Sequence, residues 1–249
     1  MQTHFSCSYI IPYIHSPRNL KSLRSTIDTI IRDPRIQVIV VETGPIPILK
    51  NIDLKGDYLF VESHNMWNVG WLFNCGSKLT KTDNLFFGSF EYVPRLEVIY
   101  NILKDVDENR HCVYSQDSII PLTKEQMAKK QLDFSYPDLK IPYEGVIYYT
   151  RKGFQIVGGW DENVFGQDLY KIQDKRNKSM INVGVLNGSK TFKLNVDLPN
   201  LKAELIDYST KHLQKILGQD KDIVRNYAIA QMKKNGNYHR LIEKNLMDI

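Results

Sequence analysis

Short segments of apolar, mostly β-branched residues alternate along the chain with longer segments in which apolar residues recur every three or four positions. The apolar run at residues 8–12 is followed by a segment with apolar residues at positions 20, 23, 27, 30 and 31, and residues 36–41 are then almost continuously apolar. Continuous runs of this kind are typical of parallel strands covered on both faces, and the helical spacing between them predicts a crossover helix. The start of the chain therefore predicts a βαβ unit.

The same alternation predicts most of the remaining elements. Pro12 is predicted to close the first strand into a turn with Tyr13, while Ser16 and Pro17 open the first helix and Pro94 opens a later one. Further strands are predicted at residues 58–61, 84–88, 112–115 and 146–149, with an edge strand at 191–196, and further helices at 66–79, 94–103, 124–132, from 167, and at 201–217 and 220–244. This order predicts a doubly wound α/β fold with a mostly parallel sheet flanked by helices. Residues 1–200 would form its domain and residues 201–249 a C-terminal helical appendage.

Composition limits the function classes. The chain has 249 residues, of which 42% are hydrophobic, and it carries 33 basic against 28 acidic residues. This composition excludes a disordered chain, and no apolar run approaches the length of a membrane-spanning helix. The three cysteines lack metal-site spacing, and the start of the chain lacks a signal-peptide pattern, so a cytoplasmic protein without disulfides or structural zinc is expected. The small basic excess weakly favours anionic ligands.

Polar residues follow the predicted strands at the edge where α/β sheets bind ligands. Glu42 ends the second strand and is expected to lie outside the core. Ser89 and Glu91 follow the strand at 84–88, and the predicted turn at Pro12 and Tyr13 belongs to the same edge. Side chains alternate along extended backbone, so Ser89 and Glu91 should face one way while Phe90 points into the core. A carboxylate here would hold a cation or a ribose hydroxyl. The alternative is that Glu91 is a loop carboxylate ahead of a helix.

The segment 158–168 concentrates glycines, an aromatic residue and acids, and its first residues, Gly158-Gly159-Trp160-Asp161, predict a tight turn. An aromatic face next to carboxylates suits a polyhydroxylated ligand, because the ring meets C–H groups and the carboxylates accept hydroxyl protons. Trp160, Asp161 and Glu162 are therefore candidates for acceptor binding, with a buried loop-anchoring Trp160 as the alternative. Asp168 lies at a predicted helix start, where it is either functional or a capping residue.

Five motifs in order and spacing resemble the inverting family-2-like glycosyltransferases of the GT-A fold, over about residues 5–176. The motifs are Ser8-Tyr-Ile-Ile-Pro12, Val40-Val-Glu-Thr-Gly44, Asn74-Cys-Gly76, Leu85-Phe-Phe-Gly-Ser-Phe-Glu-Tyr-Val-Pro94, and Gly158-Gly-Trp-Asp-Glu162 with Gly166-Gln-Asp168. The resemblance implies transfer of a sugar from a nucleotide-diphosphate sugar to an acceptor hydroxyl, with inversion.

The resemblance also implies site residues. Glu42 would bind the base and ribose of the nucleotide. Ser89 and Glu91 occupy the place of the metal-binding D-x-D motif. Because a serine replaces the first aspartate, Mn²⁺ or Mg²⁺ would bind weakly, through Glu91 with Asp197, or the reaction would be metal-independent. The implied nucleotide-sugar site consists of Pro12, Tyr13, Glu42, Asn74, Ser89 and Glu91.

Asp168 matches the catalytic base of these enzymes, although Gln167 stands where they carry a glutamate. Lys171, Lys175 and Arg176 are candidates to neutralise the leaving diphosphate. Two alternatives remain open: a catalytically degenerate sugar- or partner-binding module, and another α/β nucleotide enzyme such as a nucleotidyltransferase. The acceptor would be a glycan, a protein, a lipid headgroup or a modified DNA base.

Overall fold

The structure, a computed structural model, describes residues 5–15, 17–62, 68–106, 110–121, 143–162 and 167–193. The strands within these ranges are β1 (Cys7–Ile14), β2 (Ile36–Gly44), β3 (Asp57–Glu62), β4 (Asn84–Phe87), β5 (Tyr92–Pro94), β6 (Cys112–Pro121), β7 (Tyr143–Thr150) and β8 (Val183–Lys193). The helices within them are α1 (Pro17–Ile30), α2 (Val69–Ser77), α3 (Leu96–Asp105), α4 (Arg151–Ile156) and α5 (Gln167–Met180). Ser16, Asp197, the predicted helix at 124–132 and the predicted appendage at 201–249 lie outside the described residues.

All eight strands belong to one sheet, in the order β3-β2-β1-β4-β7-β6-β8-β5. Strands β1 to β4 run parallel to one another, β6 and β8 share their direction, and β7 and β5 run antiparallel to their neighbours. The predicted mostly parallel α/β sheet is confirmed. The four parallel strands end at the same edge, here called the C-terminal edge, and the loops that follow them meet there.

The core lies between the sheet and its helices. Every residue of β2 is buried, as expected for a parallel strand covered on both faces. Helix α1 buries Leu23, Ile27 and Ile30, which recur at helical spacing and form the apolar face predicted from the sequence. No helix in the described ranges has the length and hydrophobicity needed to cross a membrane.

Four local predictions are wrong. Pro94, predicted to open a helix, is the last residue of β5, and α3 begins at Leu96. Strand β1 continues through Pro12, which pairs with Val41, so Pro12 and Tyr13 form no turn. Pairing of β1 with β4 ends at Ile10, so Pro12 is paired only with β2. A residue without an N–H is tolerated where one side of a strand has no partner. Glu42 lies inside β2, which continues to Gly44, instead of ending the strand. Residues 191–193 of the predicted edge strand are the end of β8, which is internal because β5 pairs with it, and residues 194–196 lie outside the described residues.

Candidate functional site

The carboxylate of Glu42 is fully buried at the C-terminal edge. It accepts hydrogen bonds from the backbone N–H of Ile48 (3.1 Å) and of Leu49 (3.0 Å), and from the hydroxyl of Tyr58 (2.5 Å). Burial, followed by the hydrogen bond to Glu42, raises the pKa of Tyr58 well above its ordinary value. Glu42 thus anchors the loop after β2, and the expectation that this carboxylate lies outside the core is wrong.

Tyr13 and Phe90 connect the ends of β1 and β4. The Tyr13 ring is fully buried and packs edge-on against Phe90, with ring centroids 5.5 Å apart, and its hydroxyl lies 3.1 Å from Nδ1 of His15. Phe90 is buried as predicted. Its carbonyl accepts a hydrogen bond from the Thr26 hydroxyl (3.2 Å), which fixes the loop after β4 against α1.

Ser89 and Glu91 are half-buried on either side of Phe90. The Ser89 hydroxyl accepts a hydrogen bond from the Glu91 N–H (3.1 Å), so the loop is closed on itself by an internal hydrogen bond. Only one carboxylate is present at this position, and the described residues form no group of three or more His, Cys, Asp or Glu side chains that could hold a metal. This donor set fits a tightly bound Mn²⁺ or Mg²⁺ poorly, since such ions bind through several oxygen ligands. We assign no chemical step to a metal.

Trp160 is a core residue, and the expectation that it forms an acceptor-binding wall is wrong. Its side chain is 2% exposed and packs against the rings of Phe73 (centroids 5.1 Å apart), Phe87 (5.5 Å) and Tyr149 (6.1 Å). Phe87 is the last residue of β4 and Phe73 lies in α2. Trp160 therefore fastens the segment 158–162, here called the anchor loop, between these two elements.

The anchor loop begins with two glycines in the left-handed region, Gly158 (φ 72°) and Gly159 (φ 75°). Their N–H groups donate to the carbonyls of Gln155 (3.0 Å) and Phe154 (2.9 Å), which ends α4. A Cβ on Gly159 would lie 2.8 Å from Oδ1 of Asn74, whereas a Cβ on Gly158 would meet open space. The predicted tight turn is confirmed, and its second glycine permits the approach of α2.

Two asparagines of the α2 region hold the anchor loop. Asn74 accepts a hydrogen bond from the Trp160 N–H (2.9 Å) and donates to the Trp160 carbonyl (3.0 Å) and to Oε1 of Glu162 (2.5 Å). Asn68, the N-cap of α2, accepts from the Trp71 N–H (2.9 Å) and donates to the Glu162 carbonyl (2.6 Å). The structure thus joins three predicted site residues, Asn74, Trp160 and Glu162, in one cluster.

Cys75, next to Asn74, is buried and carries a neutral thiol. Burial, and secondarily the nearby charge of Glu162, raise the pKa of Cys75 to about 12. Because thiolates rather than thiols are nucleophilic, Cys75 is not a candidate nucleophile.

Helix α5 binds the other side of the anchor loop through hydrogen bonds and an ion pair. Gln173 accepts from the Asp161 N–H (3.3 Å) and donates to the Gly159 carbonyl (3.2 Å). Arg176 donates to the carbonyls of Val157 (3.4 Å) and Gly159 (3.3 Å) and forms an ion pair with Asp161 (3.4 Å). Asp161 and Arg176 therefore have protein partners, which differs from their predicted roles toward acceptor and diphosphate.

Buried polar side chains that were not predicted from the sequence fix α5 to the sheet. Gln173 and Asn177 are fully buried. Both donate to the hydroxyl of Tyr149, at 3.1 Å and 2.6 Å, and Asn177 also donates to the hydroxyl of Tyr114. The feature of the sequence that could have revealed them is the i, i+4 spacing of the two amides, which places both on one face of the helix.

Asp168 is the second residue of α5, and the anchor loop precedes this helix in the chain. The first turn of a helix favours negative charge, so this position suits an ionised carboxylate. Its assignment as the base stays a prediction, and Asp197 lies outside the described residues.

No protein-family model and no curated protein sequence matches the chain. Among solved structures, it is similar to the mannosyltransferase PcManGT from Pyrobaculum calidifontis in complex with GDP-Man and Mn²⁺, with a TM-score of 0.53 and 12% identity over 97% of this chain and 79% of that chain. It is also similar to S. aureus TarS 1–349 (TM-score 0.53, 12% identity, 84% of this chain and 66% of that chain) and to a longer TarS chain (0.54, 13%, 88% and 42%). The chain thus spans less than two thirds of each TarS chain. These likenesses show that the chain has a GT-A-type α/β fold.

Proposed function

We propose that the chain is a glycosyltransferase that moves a sugar from a nucleotide-diphosphate sugar to an acceptor hydroxyl with inversion. The GT-A-type fold supports this proposal, as does the resemblance of the five sequence motifs to those of such enzymes. The observation that carries it is the attachment of the anchor loop to α2, beside the end of β4. Because of this attachment, Glu162 lies at the edge where open α/β sheets bind their ligands.

In the proposed reaction, the acceptor oxygen attacks the anomeric carbon while the bond from that carbon to the diphosphate oxygen breaks. Asp168 takes the proton of the acceptor hydroxyl as the new C–O bond forms. The leaving diphosphate gains negative charge, and cationic side chains or backbone N–H groups stabilise it. Since Arg176 is bound to the anchor loop, Lys171 and Lys175 are the remaining candidates for this role.

The nucleotide is proposed to lie over the ends of β1, β2 and β4. Pro12, Tyr13 and Glu42 would act mainly by shaping this surface, because their side chains are buried. Ser89 and Glu91 are half-buried and would contact the diphosphate region directly. We expect Mg²⁺ or Mn²⁺ to bind weakly at most, through Glu91.

A thermal-shift screen of nucleoside diphosphates and nucleotide sugars, with and without Mn²⁺, tests this proposal. A bound ligand raises the melting temperature by mass action, and one nucleotide series should do so selectively. Release of nucleoside diphosphate from the matching nucleotide sugar should then be measurable. Absence of both effects across the series would contradict the proposal.

A second candidate is a non-catalytic module with the same fold. It is favoured by the self-closed loop at Ser89 and Glu91, where the family pattern has two carboxylates. Such a module would show nucleotide-sugar binding in the thermal-shift screen without release of nucleoside diphosphate under any acceptor condition.

The acceptor is proposed to be a glycan, a protein or a modified DNA base. The basic excess allows a nucleic-acid acceptor, and binding to DNA would weaken steeply with rising salt because counterions are released. Binding of a duplex oligonucleotide at two salt concentrations separates this acceptor from the other two.

A further inference from the structure

The side-chain amide of Asn74 makes all of its donor contacts inside the protein. A primary amide has two N–H donors and one acceptor oxygen. In Asn74 the donors contact the Trp160 carbonyl (3.0 Å) and Oε1 of Glu162 (2.5 Å), and the oxygen accepts from the Trp160 N–H (2.9 Å). A direct hydrogen bond from this amide to a nucleotide would require one of these contacts to break.

Glu162 is held from two sides. Asn74 binds its carboxylate, and Asn68 donates to its carbonyl (2.6 Å) while capping the first turn of α2. Since α2 follows β3, its N-terminus lies at the C-terminal edge of the sheet. Glu162 is half-buried, so it is oriented by the protein and still reached by solvent.

We propose that Asn74 is a positioning residue, which orients the Glu162 carboxylate for an acceptor hydroxyl and does not itself bind the nucleotide. The assignment of Glu162 to the acceptor rests on the proposed function. Its physical basis is that hydrogen bonds to a charged group are stronger than those between neutral groups and fix the direction of the carboxylate. Loss of Asn74 should therefore act on the acceptor and leave the nucleotide unaffected.

Asn84 provides a matched control. It is also half-buried, its Oδ1 accepts from the Tyr148 hydroxyl (2.7 Å), and its Nδ2 donates to the Ser6 carbonyl (3.0 Å). It begins β4 and therefore lies at the opposite edge of the sheet. An effect of substitution on general stability should appear at both asparagines, whereas an effect on the acceptor should appear only at Asn74.

The experiment compares Asn74→Asp, Asn74→Ser, Glu162→Gln and Asn84→Ser with the unsubstituted chain. Asn74→Asp keeps an acceptor for the Trp160 N–H but removes both donors, so the loop attachment is partly preserved. The first readout is the NMR signal of the Asn74 side-chain amide, identified by its loss in Asn74→Asp. This signal should shift as Glu162 is titrated, and the shift should be absent in Glu162→Gln.

The second readout is nucleotide affinity, measured with the nucleoside diphosphate that stabilises the chain in the thermal-shift screen. The third is KM for the p-nitrophenyl glycoside that best supports nucleoside diphosphate release. We expect KM for the glycoside to rise about tenfold or more in both Asn74 variants and in Glu162→Gln. Nucleotide affinity should stay within about twofold, and Asn84→Ser should change neither quantity.

The inference would be overturned if the NMR signal of the Asn74 amide did not shift as Glu162 is titrated. So would a loss of nucleotide affinity in the Asn74 variants, or an unchanged glycoside KM in a chain that turns over. If the unsubstituted chain neither binds a nucleotide nor turns over, the proposed function fails, and the amide titration alone decides whether Asn74 orients Glu162.

Discussion

At the scale of single residues, Glu42 shows how a carboxylate at a sheet edge becomes part of the core. Its oxygens receive two backbone N–H groups and a tyrosine hydroxyl, which compensate for the loss of water. Its role at the C-terminal edge is to set the path of the loop that follows β2.

Replacing Glu42 with alanine is expected to lower the free energy of unfolding by about 2–4 kcal/mol, because buried N–H donors lose their acceptor. Urea unfolding measures this change. Glu62→Ala is the matched control, since Glu62 is an exposed carboxylate at the end of the neighbouring strand β3. Equal and small effects in the two variants would show that the hydrogen bonds of Glu42 contribute little to stability.

Replacing Asp168 with asparagine is expected to lower the rate of sugar transfer by about 10²–10⁴-fold, because asparagine cannot take the acceptor proton. Nucleotide affinity, measured by thermal shift, should be retained. Glu97→Gln is the control, because Glu97 is likewise an acid in the first turn of a helix, α3. Turnover close to normal in Asp168→Asn would move the role of base to Asp161 or Glu162.

At the scale of elements, the anchor loop joins parts that are distant in sequence. It receives Asn74 from α2, Gln173 and Arg176 from α5, and ring contacts from the end of β4. Because α5 is also bound to the sheet through the buried amides of Gln173 and Asn177, these three elements and the loop form one connected unit.

Alanine substitutions at the two glycines of this loop distinguish the cost of backbone strain from the cost of a packing clash. Alanine at Gly158 should cost about 1–2 kcal/mol of stability, because only the left-handed conformation opposes it. Alanine at Gly159 should cost more, since its Cβ would also displace Asn74. Denaturant unfolding of both variants provides the comparison, and equal losses would mean that the contact between Gly159 and Asn74 is not tight.

At the scale of the whole molecule, an ion-pair cluster ties α3 to the loop between α1 and β2. Asp33 is buried and accepts hydrogen bonds from Arg35 (2.7 Å) and from the Tyr100 hydroxyl (2.7 Å). The hydrogen bond from Arg35, together with that from Tyr100, holds the pKa of Asp33 well below its ordinary value.

The lowered pKa of Asp33 determines how this residue changes the stability of the fold as the pH falls. A carboxyl with a lowered pKa stabilises the fold above its unfolded-state pKa of about 3.9, and this contribution is lost as pH falls toward the folded-state pKa. Asp33→Asn should therefore lower the melting temperature at pH 7 and make the loss of stability below about pH 4 less steep. Asp105→Asn is the control, because Asp105 pairs with Arg110 at a more exposed site. Parallel pH curves for Asp33→Asn and the unsubstituted chain would contradict the assignment.

Most of the described elements were predicted from the sequence, because periodicity and turn residues are local, whereas α4 and β5 were not predicted. The β-branched run of β2, the amphipathic face of α1 and the glycine pair at the end of α4 each act within a few residues, and each was predicted. The same local rules misjudged Pro12, because its place inside β1 depends on its pairing with Val41 of β2, which is distant in sequence.

What each polar residue contacts was decided only by the tertiary structure. Glu42, Trp160 and Asn74 were recognised as special from their motifs, yet their partners come from residues up to 88 positions away. No local pattern encodes such distances, because burial and hydrogen-bond partners arise only when the sheet brings its strand ends together. The sequence therefore determined the α/β class and the edge of the sheet that carries the candidate site. The packed fold decided which of its side chains are core, which orient others, and which are left to meet a ligand.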